Sequence, residues 1–97
     1  MGEPVPEMHV HLRWPDGSAQ RVYSPSLVLT DHLDEGASYP IEDLLPRMRT
    51  ALTEASNRVR ASYGFPCTRA AASLAAVESR AARYAGGDVA VVEAFER

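Results

Sequence analysis

The stretch HVHLRWPDGSAQRVY, residues 9–23, decides the fold. Met8, Val10, Leu12 and Trp14 alternate with His9, His11 and Arg13, the period-two pattern of a half-buried strand. Pro15 presets φ for a type I turn, Asp16 tolerates the next position, and Gly17 can take the left-handed conformation that closes a bulged hairpin. With Trp14 opposite Ser18, His11 faces Arg21, His9 faces Tyr23, and Val10 faces Val22. The histidines, Arg21 and Tyr23 then share an outer face, and the valines share an inner one.

Working outward, residues 1–6 hold two prolines and read as a loose lead-in to a single domain over 7–97. Ser24-Pro25 reads as a helix start, giving a short helix over 26–33 with Leu29 and Leu33 as its apolar stripe. Ser38-Tyr39-Pro40 starts a long helix in the same way. Its apolar positions Ile41, Leu45, Met48, Leu52, Ala55 and Val59 step by three and four. Asp43–Arg47 and Glu54–Arg58 are i,i+4 pairs on its wet side. Pro46 deletes a backbone hydrogen bond and predicts a kink. Gly64 ends the helix, residues 65–68 turn a corner capped by Cys67 or Thr68, and a second helix follows. Its stripe is Ala70, Leu74, Val77, Ala81 and Tyr84. A valine-rich run over 88–95 reads as the last strand. The expected fold is α+β, in the order β-β-α-α-α-β: a three-stranded sheet with helices on one face.

Composition limits the functions this chain can serve. At 97 residues, 45% apolar and 24% charged, it has ordinary globular balance. The net charge is −3, and every basic residue other than histidine is an arginine, scattered along the chain. A surface that tracks phosphates needs clustered positive charge, so nucleic acid is not an expected partner. No run approaches the roughly 18 apolar residues that span a bilayer, and no secretory leader is legible, so the expected location is the cytoplasm. A single cysteine, Cys67, cannot form an internal disulfide and fits that compartment.

Three groups could carry chemistry. His9 and His11, two apart on a strand, project from one face and could share a metal. No carboxylate or thiol lies beside them in sequence to complete the set, so no metal or cofactor is expected, and an exposed polar sheet face accounts for the same residues. Cys67 sits at a helix start, where backbone N–H groups favour a thiolate. A nucleophile also needs a base, and His32 is the one histidine outside the first strand. A small capping residue is the simpler reading. Tyr23, Ser24 and Ser26 beside Arg21 could bind a carboxylate or phosphate at a helix start, though capping explains the hydroxyls too. A glycine-rich phosphate loop, a cysteine pair at metal spacing and a GxSxG elbow are all missing from the sequence.

Several segments, taken in order, carry a family resemblance: RWPDG (13–17), YSPS (23–26), GASYP (36–40), RVRASYGFPC (58–67) and VEAFE (92–96). With these the chain resembles small bacterial nitrogen-starvation-response proteins over nearly its whole length. Pro46 departs from the unbroken helix expected there. The resemblance implies a gene neighbourhood holding a nitrilase-type enzyme, a radical SAM protein, an acetyltransferase-like protein, a flavin-dependent oxidoreductase and an aminoimidazole-ribotide-synthase-like protein. It implies a role in nitrogen limitation and, in some bacteria, in nitrile or cyanide use. It supplies no catalytic residues.

The reading that follows is a non-catalytic accessory or interaction protein, with enzymes of that neighbourhood as possible partners. The alternatives are a small enzyme or carrier using Cys67 or the His9/His11 pair, and, behind it, a nucleic-acid-binding regulator. Strict alternation along 88–96 puts Val89, Val91 and Phe95 on one face and Ala90, Val92 and Ala94 on the other. Strands apolar on both faces need two covers, so a homodimer through the open face or edge of the sheet is expected.

Overall fold

The computed structural model describes residues 7–65 and 68–97. The first hairpin forms as its residues dictate. Strand β1 (Met8–Arg13) pairs antiparallel with β2 (Ala19–Ser24), with His9 opposite Tyr23, Val10 opposite Val22 and His11 opposite Arg21. The Trp14 N–H donates to the Ser18 carbonyl at 2.8 Å, and the Gly17 N–H donates to the Trp14 carbonyl at 2.8 Å. Gly17 closes the turn at φ 87°, a conformation a side chain resists.

The segment after β2 departs from expectation. Ser24 and Ser26 start no helix. The Ser24 hydroxyl donates to the Ser26 carbonyl at 2.7 Å and accepts the Ser26 N–H at 3.2 Å, and Ser26 Oγ accepts the Val28 N–H at 3.2 Å. These local bonds compete with helical ones. Helix α1 is consequently one turn, Leu29–His32, rather than 26–33.

Ser38-Tyr39-Pro40 is likewise no cap. It is a third strand, β3 (Ser38–Pro40), and α2 (Ile41–Tyr63) begins directly after it. The N-terminal donors of α2 are met by backbone from far along the chain: Ile41 N–H donates to the Asp88 carbonyl at 2.8 Å and Glu42 N–H to the Gly86 carbonyl at 3.0 Å. Acidic Glu42 and Asp43 in the first turn suit the helix dipole. The helix continues through Pro46 to Gly64, whose φ of 84° ends it. Its buried residues are Ile41, Leu44, Met48, Ala51, Leu52, Ala55 and Val59, with Leu45 at the margin. Helix α3 (Thr68–Ala81) buries Ala70, Val77 and Ala81, with Leu74 and Tyr84 packed at the edge of the core.

The last strand, β4 (Val89–Glu96), returns beside β1 on the side away from β2. The sheet is therefore four-stranded, in the order β2-β1-β4-β3, and antiparallel throughout. The expected three-stranded sheet missed β3 because a three-residue strand ending in proline reads as a helix start. Among the described residues no helix is long and apolar enough to cross a membrane.

One irregularity in β4 changes what the sheet presents. Its register against β1 steps from His11↔Ala94 to Leu12↔Val92, which leaves Glu93 as an extra, bulged residue. The bulge reverses the alternation beyond it. Ala90, Val92 and Phe95 therefore belong to the inner face, with Phe95 opposite Val10. Val89, Val91, Ala94 and Glu96 belong to the outer face, and Phe95 does not join the valines there as strict alternation requires. The edge of β4 is also covered. Gly36 N–H donates to the Val92 carbonyl at 2.7 Å, Val92 N–H to the Ala37 carbonyl at 2.9 Å, and Phe95 N–H to Glu35 Oε2 at 2.7 Å.

Met8, Val10, Leu12, Val22, Ala90 and Val92 on the inner face meet Met48, Leu52 and Ala55 of α2 and Val77 and Ala81 of α3 in one core cluster. The motif RWPDG ties the hairpin to α3. Trp14 is 1% exposed, stacks on Tyr84 with ring centroids 5.7 Å apart, and donates Nε1–H to Gln20 Oε1 at 2.8 Å. Arg80 of α3 donates to Ser18 Oγ and lies 3.8 Å from Asp16. Asp16 accepts from the Ser18 hydroxyl and N–H, which hold its carboxyl well down, to about 2.

Candidate functional site

The outer face of the sheet gathers most of the polar residues singled out in the sequence. His9, His11 and Arg13 project from β1, Arg21 and Tyr23 from β2, and Glu93 and Glu96 from β4. His9 meets Tyr23 edge-on, with ring centroids 5.5 Å apart and planes at 67°. The Tyr23 hydroxyl donates to Glu7 Oε2 at 3.2 Å, and the Arg69 guanidinium of α3 lies 3.7 Å from the centre of its ring.

Glu96 is the centre of this surface. His11 Nε2 lies 2.8 Å from its Oε1, and Arg21 contributes Nε–H at 3.1 Å and Nη2–H at 2.5 Å to its two oxygens. The arginine, and after it the histidine, holds the carboxyl down to about 2 from its ordinary 4.5. Arg13 donates to Glu93 Oε2 at 2.9 Å, across the bulge. Three strands are thus joined by charge on their exposed side.

Glu96 and Glu93 were not legible as members of the group. Their proximity depends on β4 lying beside β1 and on the bulge, and pairs 75 to 85 residues apart in sequence carry no sign of either. The bulge does have a signal: a glutamate inside an otherwise apolar, valine-rich run.

The remaining candidates lie elsewhere. Ser24 and Ser26 are buried, 0% and 4% exposed, with their hydroxyls engaged in the turn described above. They do not join the outer face. His32 lies on the far side of the core, its Nε2 3.3 Å from Glu54. That contact takes Glu54 away from Arg58, the partner expected from helical spacing, whereas Asp43 and Arg47 do pair, at 3.2 Å. Cys67 lies outside the described residues.

Chemically, the outer face is a neutralised network. The imidazole of His11 and the guanidinium of Arg21 are both directed at one carboxylate, and His9 packs on a phenol ring. Among the described residues no group of three or more His, Cys, Asp or Glu side chains is disposed to hold a metal ion.

A different surface is left without such compensation. At the C-terminal end of α2, Tyr63 and Phe65 are 53% and 64% exposed. Arg58 and Arg60 precede them in sequence, and no aspartate or glutamate occurs between Glu54 and Glu78. Helix α2 is about 34 Å long at 1.5 Å per residue. The molecule measures 45 × 21 × 18 Å.

No curated protein and no solved structure matches the chain. The family described as nitrogen starvation-induced protein NitG matches residues 9–95. That span runs from the first strand of the sheet to the last, and the chain belongs to this family.

Proposed function

We propose that the protein is a non-catalytic accessory of the nitrogen-starvation response and acts by docking onto another protein. The observation that carries this reading is the pair of exposed aromatics, Tyr63 and Phe65, among the arginines at the end of α2. Aromatic and arginine side chains dominate the energetics of protein interfaces, and exposed apolar side chains grouped together, unlike single scattered ones, mark interaction sites. The local charge calls for an acidic surface opposite. The outer face of the sheet supports the non-catalytic part, since its histidines are engaged by Tyr23 and Glu96 rather than poised beside a nucleophile. Enzymes of the nitrilase-associated neighbourhood are the proposed partners.

Affinity capture from cells under nitrogen limitation tests the reading. The wild-type chain should retain an enzyme of that neighbourhood, and a Tyr63→Ser/Phe65→Ser double variant should lose it. Capture unchanged by the double variant, or no neighbourhood enzyme captured by the wild type, would refute it.

Self-association is proposed as a second mode. Val89 is 46% exposed on the outer face, beside Val91 of the same strand and Pro40 of β3. These residues form an apolar corner next to the charged network and could seat a second copy.

A further inference from the structure

We propose that the groove between α1 and α2 binds a small zwitterion: an ammonium and a carboxylate on an aliphatic body. This goes beyond the docking reading and uses a neighbouring surface that shares Arg58 with it. The groove encloses about 570 Å³, within the range of small-molecule sites. One wall presents Thr30 and Asp31 of α1, the other Arg58 and Ser62 of α2, and Leu27 and Val28 supply apolar surface between them.

Charge decides what fits. Several arginines are satisfied by a carboxylate: Arg13 by Glu93, Arg21 by Glu96, Arg49 by Glu78, Arg47 by Asp43. Arg58, in the groove, is not. The side chains of Asp31 and Arg58 line the same space, and neither has an ion pair or hydrogen bond among the described residues. The reason is structural. Glu54, one turn before Arg58 on α2, is drawn off to His32. Arg58 is left as an available cation and Asp31, on the facing wall, as an available anion. The two do not pair with each other. A molecule with a positive and a negative end bridges them, its ammonium on Asp31 and its carboxylate on Arg58. Ser62 adds a hydroxyl to the lining, and the Thr30 hydroxyl there already donates to the Leu27 carbonyl at 2.8 Å. The apolar surface from Leu27 and Val28 favours an aliphatic body over a hydrated inorganic ion. Free aliphatic amino acids and longer ω-amino acids share this chemistry and differ in the spacing of their charges.

The test is amide NMR of the full chain titrated with L-leucine and, separately, with 4-aminobutyrate. Saturable shifts are expected in residues 27–31 and 58–62, with a Kd of about 0.1–1 mM for so open a groove. N-acetyl-leucine, which lacks the ammonium, should bind roughly threefold to tenfold more weakly, and Asp31→Asn should weaken leucine binding by a similar factor. Leucinamide and Arg58→Gln should behave as the corresponding pair for the carboxylate. Tighter binding of 4-aminobutyrate than of leucine supports the same site with wider charge spacing. Shifts that fail to saturate up to about 10 mM of either compound, or that ignore both charge substitutions, overturn the proposal. The Tyr63→Ser/Phe65→Ser variant should bind both compounds as the wild type does, which separates this site from the docking surface.

Discussion

Leu52 of α2 and Leu74 of α3 line one crevice between the two helices, and their truncation to alanine should have unequal costs. Leu52 is 1% exposed within the core, whereas Leu74 is only half-buried at its edge. Leu52→Ala removes three carbons. At about 0.8 kcal/mol per buried methylene the transfer loss is about 2.4 kcal/mol. The surrounding Met48, Ala51 and Ala55 lie on the same helix and cannot close fully on the void, so a cavity contribution brings the total to about 3–4 kcal/mol. Leu74→Ala forfeits about half of the transfer loss, and water fills the space it leaves, for a cost of about 1 kcal/mol. The buried Trp14, the one tryptophan in the chain, reports unfolding by fluorescence. With a urea dependence of about 1 kcal/mol per molar, the midpoint should fall by about 3–4 M for Leu52→Ala and about 1 M for Leu74→Ala. A loss at Leu74 equal to or greater than that at Leu52 would mean the helical hairpin is rotated about its axis, and the packing described above is wrong.

Two further outcomes are expected. Because the Glu96 carboxyl is depressed in the folded state, its contribution to stability is fully present above its ordinary 4.5 and is lost as pH falls toward about 2; carboxyl NMR should place its midpoint near 2 in the wild type and higher in Arg21→Gln, and a wild-type midpoint at 4.5 would remove Glu96 from the network. If the Val89 corner seats a second copy, the chain should sediment as a dimer at micromolar concentration and as a 10.6 kDa monomer after Val89→Ser, and a wild-type monomer would end that proposal.

How much was legible in the sequence follows the range of the interactions involved. The hairpin was readable to the residue because Pro15, Asp16 and Gly17 determine a local turn, and the turn fixes the register of both strands. The stripes on α2 and α3 were readable because helical periodicity is local as well. The elements that were misread depend on distant partners. Ser38-Tyr39-Pro40 carries a helix-start signature, yet β4 offers it a strand partner and the carbonyls of Gly86 and Asp88 take over the capping of α2. Ser24-Pro25-Ser26 fails as a helix start because its hydroxyls satisfy the backbone within the turn.

The same contrast governs the outer face. Alternation, applied to β4 without interruption, places Phe95 with Val89 and Val91 and leaves a long apolar stripe in need of a cover. The bulge at Glu93 moves Phe95 inward, opposite Val10, and sets Glu96 where Arg21 and His11 can reach it. One extra residue thus exchanges an apolar position for a charged one on the exposed face. It also brings Glu93 to Arg13, joining the hairpin motif to the last strand. RWPDG therefore serves the fold at each position: Arg13 locks the bulge, Trp14 stacks on Tyr84, and Pro15, Asp16 and Gly17 shape the turn that Arg80 holds to α3. The part of the sequence most useful for recognising the family is its framework, and the residues proposed for a partner or ligand lie beyond it, on α1, at the end of α2 and at the Val89 corner of the sheet.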